Sequence, residues 1–89
     1  MKYPAQAMLR EMSDRLYRLG ARIVDYKITD MGDRGEKAQF AVTIKDPSLK
    51  PDLMKKRLYI VGRGYGGRLL REQGYYPNYV FEWMVPKGG

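Results

Sequence analysis

Eighty-nine residues support one domain with one modest core, and a 44% apolar fraction that includes eight Tyr, two Phe and one Trp belongs to a folding chain rather than a disordered one. The absence of Cys and His removes disulfides, thiol nucleophiles, cysteine zinc sites and the commonest general base, so an enzyme, a metal site and a cofactor are all disfavoured. A net charge of +7 biases the partner toward polyanions, and no apolar run approaches the roughly 18 residues of a membrane span.

The first segment, Met1 to Gln6, leads into charged residues rather than an apolar signal core, so a cytoplasmic protein without a membrane partner is expected. From Pro4 to Leu19 the spacing predicts a helix, with Ala5, Met8, Met12, Leu16 and Leu19 in one apolar stripe. Pro4 suits the first helical position and Gly20 the left-handed residue after the last. Glu11 with Arg15, and Asp14 with Arg18, are favourable pairs four residues apart.

At Ala21 the apolar period changes to two. Val24, Tyr26 and Ile28 fall on one face of a strand, with Asp25, Lys27 and Thr29 on the other. A turn over 31–36 leads to a second strand in which Ala38, Phe40, Val42 and Ile44 alternate with polar residues, completing a hairpin. Asp30, Asp33 and Glu36 at its tip lack the spacing of a calcium loop and read as a solvated acidic turn. Pro47 and Pro51 end the strand, and Pro51 opens the next helix.

Charge and glycine concentrate in the third quarter of the chain. Between Lys50 and Gln73 there are seven Lys/Arg against Asp52 and Glu72, so this quarter carries five of the seven net positive charges. Met54, Leu58, Val61 and Tyr65 recur at helical spacing, whereas four glycines within residues 62–67 each disfavour a helix interior by about 1 kcal/mol relative to Ala. A helix that breaks at the glycines and restarts through Arg68 and Arg71 is expected, ended by Gly74 and Pro77. Tyr79, Phe81, Trp83 and Val85 then alternate as a last strand, with residues 85–89 as a loose tail. The expected order is α-β-β-α-α-β, an α+β fold of one domain over 1–89, with a three-stranded sheet and the helices on one face.

Gly62-x-Gly64-x-x-Gly67 satisfies the dinucleotide-binding pattern, yet helical spacing stands where that motif needs a strand, and the chain is too short for the required parallel sheet. The alternative is a Gly-x-x-Gly loop, Gly64-Tyr65-Gly66-Gly67, whose backbone N–H groups approach phosphates. With this loop between the last two helices, the chain resembles the type II KH domain. The motif lies in Ile60-Val61-Gly62-Arg63-Gly64-Tyr65-Gly66-Gly67-Arg68-Leu69-Leu70. Its variable pair, Tyr65-Gly66, departs from the basic residues usual there. The long approach helix, Gly62 at a kink, Arg68-Leu69-Leu70-Arg71 and the Pro77-led last strand look more like the ribosome-binding factor A family of KH-like proteins.

The resemblance implies a non-catalytic module for ribosomal or other structured or single-stranded RNA. Arg63 and Arg68 would contact phosphates beside the backbone of Gly64, Gly66 and Gly67, with bases in a groove against the second hairpin strand and Tyr65 stacking on one of them. Lys55, Lys56 and Arg71 extend this basic set. Other readings stay open: Tyr65 completing the apolar stripe while the glycines let two elements cross closely, a protein-interaction module for an acidic partner, and binding of duplex DNA. Tyr75, Tyr76, Tyr79 and Trp83 are either an aromatic recognition surface or part of the core.

Overall fold

Pro4 takes the first helical position, and the chain then runs as helix α1 through Pro4–Leu19. Gly20 follows in the left-handed region at φ 102°, where its N–H donates to the Leu16 and Tyr17 carbonyls. The computed structural model describes residues 3–87. Strand β1 (Ala21–Asp30) and strand β2 (Glu36–Ile44) form the hairpin, joined by a short 3-10 turn at Gly32–Arg34. Helix α2 (Pro51–Gly64) then starts on its proline. The last two elements are strands, β3 (Arg68–Tyr75) and β4 (Asn78–Val85).

The architecture is α+β, with two helices and a four-stranded antiparallel sheet in the order β1-β2-β4-β3 among the described residues. This corrects the expected third helix and three-stranded sheet: the order is α-β-β-α-β-β, and the segment read as a restarted helix is an edge strand. The helical reading fails because a register shift between Leu69 and Arg71 breaks the alternation of β3, leaving two adjacent leucines in the pattern. A similar shift between Ile23 and Asp25 takes Val24 out of the β1 ladder, so Ile23, Tyr26 and Ile28, rather than Val24, stand opposite the inward residues of β2.

The core lies between the sheet and the helices. Ala38, Phe40, Val42 and Ile44 of β2 and Tyr79, Phe81, Trp83 and Val85 of β4 face Met8, Met12 and Leu16 of α1 and Met54, Leu58 and Val61 of α2. Phe40 and Phe81, opposite each other in the ladder, stack with ring centroids 5.5 Å apart. Val85, expected to begin a loose tail, is fully buried at the end of β4. Lys87 places Nζ 2.7 Å from Asp30 Oδ1, and Gly88 and Gly89 lie outside the described residues.

The acidic hairpin tip is divided by the fold. Asp30 accepts the Gly32 N–H and pairs with Lys87, which lowers its pKa, the Lys87 hydrogen bond being the largest cause. Glu36 turns inward, and its Oε1 accepts the N–H of Ala5 at 3.1 Å. Helix α1 has no acidic residue in its first turn and no side-chain cap of its own, so a strand residue supplies the negative charge that its N-terminus favours.

Candidate nucleic-acid interface

Helix α2 ends in a backbone arrangement that decides how the glycine turn can act. The Gly66 N–H donates to the Arg63 carbonyl at 2.9 Å, and the Gly67 N–H donates to the Gly62 carbonyl at 2.9 Å. Gly66 is left-handed at φ 72°. These two bonds, with a left-handed glycine between them, constitute a Schellman cap. The Tyr65 N–H also returns to Gly62 O, at 3.2 Å. The amides expected to cradle phosphates are therefore spent on the carbonyls of their own helix. The turn also lies at the end of the helix that carries partial negative charge, which repels rather than attracts anions.

The other glycine roles are steric. A Cβ on Gly62 would run into the Trp83 ring, and one on Gly67 would sit 2.9 Å from the Gly62 carbonyl oxygen and 3.1 Å from Trp83 Cε3. Gly62 and Gly67 thus let α2 and the start of β3 close over the indole. Gly64 is open, with nothing within 4 Å of a Cβ placed on it.

Tyr65 ties the end of α2 to α1. Its half-buried ring packs against the core, and its hydroxyl hydrogen-bonds to Glu11 Oε1 at 3.2 Å and to the Ala7 carbonyl at 3.5 Å. Burial, then the Glu11 carboxylate, pushes its pKa up. The inner face of β2 is filled: that strand is central, and its inward Ala38, Phe40, Val42 and Ile44 are buried.

The basic residues divide between the two sides of the β3 edge. On the helix side, Lys55 is held by Glu72 at 3.2 Å and lies over the Tyr79 ring, 4.8 Å from its centroid. Lys56, Ile60 and Arg63 recur at i, i+4 and i+7 along the exposed side of α2, which places them in one stripe leading to the turn. Beyond the turn, Arg68 stands opposite Met84 and Arg71 opposite Glu82. Met84 and Glu82 alternate with the inward Trp83 and Phe81, so both arginines project from the face of the sheet that no helix covers. Gln73 and Tyr75 follow on the same side of β3.

Lys56, Arg57, Arg63, Arg68 and Arg71 are exposed and make no ion pair among the described residues; Arg71 donates to Gln73 Oε1 at 3.2 Å. The structure therefore brings Lys56, Arg63, Arg68 and Arg71 around one edge of the sheet and removes Lys55, Tyr65 and the turn amides to structural duties. The sequence alone does not single out Gln73, because a helical segment would not put it beside Arg71. The aromatic cluster splits as well: Tyr79 and Trp83 are core, while Tyr75 at the far end of β3 is 85% exposed. The bracketing of residues 68–73 by Gly67 and Gly74 is the signal that points to a strand, since six residues are too few for an independent helix.

The fold and this edge define a small α+β domain with a basic margin on an otherwise mixed-polarity open sheet. Compared with known proteins, the chain matches no family model and no curated sequence. Among the described residues, no helix is long and apolar enough to cross a membrane.

Proposed function

We propose that the chain is a non-catalytic RNA-binding module, cytoplasmic and directed at single-stranded segments of ribosomal or other structured RNA. It grips the RNA along the β3 edge rather than on the backbone of the glycine turn. The observation that carries this reading is the concentration there of cations without an ion pair among the described residues: Lys56 and Arg63 before the turn, Arg68 and Arg71 after it. The ligand class follows the type II KH resemblance, whereas the surface differs from the one that family uses.

Strand rise puts Tyr75 about 23 Å from Arg68, a span that suits a few nucleotides of extended strand with a base stacked on the Tyr75 ring. Unpaired bases offer that stacking face and a duplex does not, which favours single-stranded RNA over duplex DNA. The lack of His and Cys in the sequence supports binding without catalysis.

Titration of a fluorescent single-stranded oligoribonucleotide at increasing salt tests this. About four phosphate contacts give a log–log slope near −2.8, or roughly fifty-fold weaker binding from about 50 to about 200 mM salt. A second reading, an acidic protein partner, rests on Leu53, Tyr59 and Ile60, which are exposed on α2 among the same cations. Its complex would survive nuclease treatment.

A further inference from the structure

The opposite margin of the sheet carries a different pattern. Strand β1 is an edge strand of ten residues, without proline or glycine, and among the described residues the sheet order leaves its outer side without a neighbouring strand. The backbone N–H and C=O groups that point outward from such a strand form a template for pairing. Val24 and Tyr26, 56% and 61% exposed, project along this margin, and Tyr26 borders a cleft between β1 and α1 that Leu9 and Ile23 also line.

We propose that β1 pairs antiparallel with β1 of a second copy of this chain about a two-fold axis at Tyr26. The register follows from the side-chain pattern. A two-fold axis perpendicular to the sheet keeps each side chain on its own face, so the residue on the axis meets its own copy. An axis at Asp25 or Lys27 would set like charges against each other. With the axis at Tyr26, Asp25 of each copy lies opposite the partner's Lys27, and Val24 lies opposite the partner's Ile28. The two tyrosines then meet at the centre, over the paired clefts lined by Leu9 and Ile23.

Asp25 and Lys27 both stand on the open face, opposite Ala41 and Gln39, so their two cross-axis ion pairs share one side of the joined sheet. The β3 margin offers no equivalent. Arg71 or Glu72 would meet its own copy near the strand centre, setting like charges against each other. Two four-stranded sheets would thus join into one of eight strands, with the basic β3 edges at its two ends.

Sedimentation equilibrium from micromolar to near-millimolar concentration tests the pairing. The unmodified chain should form a dimer. Asp25→Lys and Lys27→Asp, each alone, set like charges across the axis twice and should weaken the dimer by about a hundredfold or more. The combined Asp25→Lys/Lys27→Asp variant restores opposite charges and should recover most of the affinity. All three change exposed residues, and circular dichroism confirms that each stays folded. A chain that is monomeric at the highest concentration, a dimer indifferent to the single changes, or a combined variant no better than either single one would overturn the proposal.

Discussion

Gly62 lies flat against the indole of Trp83, so closely that a single methyl group on the glycine would occupy the space of the ring. Trp83 is 1% exposed near the end of β4, and α2 can reach it only because residue 62 has no side chain. Alanine in a helix is ordinarily better than glycine by about 1 kcal/mol, but here crowding reverses the sign. Gly62→Ala should cost about 2 kcal/mol or more in urea unfolding. Gly64→Ala, two residues on in open space, should gain up to about 1 kcal/mol.

The buried carboxylate of Glu36 should matter to α1 more than a hairpin-tip residue would suggest. Removing it leaves the Ala5 N–H without its acceptor and the helix N-terminus without its negative charge. Glu36→Ala should cost about 1–2 kcal/mol, and Glu36→Gln, which keeps an acceptor oxygen, should cost less. Denaturant unfolding of both variants reads the difference, and equal losses would mean that the lost packing, not the hydrogen bond, is responsible.

Tyr65 separates packing from ligand stacking. Tyr65→Phe keeps the ring and deletes the hydroxyl that bonds to Glu11 and Ala7, so stability should fall by about 1 kcal/mol while RNA affinity stays the same. Because burial and then Glu11 raise the pKa of this phenol, the unfolded chain ionises it first. The corresponding stability is complete below the ordinary phenol range and is lost as pH rises through the folded value. Alkaline unfolding should therefore be less steep in Tyr65→Phe than in the unmodified chain.

Much of this fold is legible residue by residue. Pro4 and Gly20 mark both ends of α1, Pro51 marks the start of α2, and the alternation in β2 and β4 identifies the inward residues. Where sequence and structure part, a local irregularity disturbs the periodicity. The shift at Leu70 disguises β3 as a helix, and the one at Val24 puts Ile23 in the inward place expected for Val24, leaving Tyr26 and Ile28 as read. The glycine run does end a helix, but a phosphate cradle and a Schellman cap ask for the same residues. Only the destination of the Gly66 and Gly67 N–H groups separates them, and that depends on which carbonyls lie within reach. The site inherits the same difficulty: a helix over 68–73 cannot place Arg68 and Arg71 on the open side of the sheet.

The cations on the two sides of the β3 edge should act together on RNA. Replacing Arg63 and Arg68 by Ala removes about two of four phosphate contacts, which should bring the salt slope from near −2.8 to about −1.4. Gly66→Asn, compatible with the left-handed conformation, should leave both slope and affinity unchanged, because the turn amides serve the helix cap. A fall in affinity for folded Gly66→Asn would return the contact to the turn backbone.

The β3 edge is where the nucleic acid should lie, and backbone amide NMR during titration with a single-stranded oligoribonucleotide measures that directly. Shifts confined to the amides of Lys56, Arg63, Arg68, Arg71 and Gln73, with Tyr75 as the aromatic that responds most, are the predicted result. No shifts at saturating RNA, or shifts centred on α1 and β1 with the β3 edge silent, would contradict it.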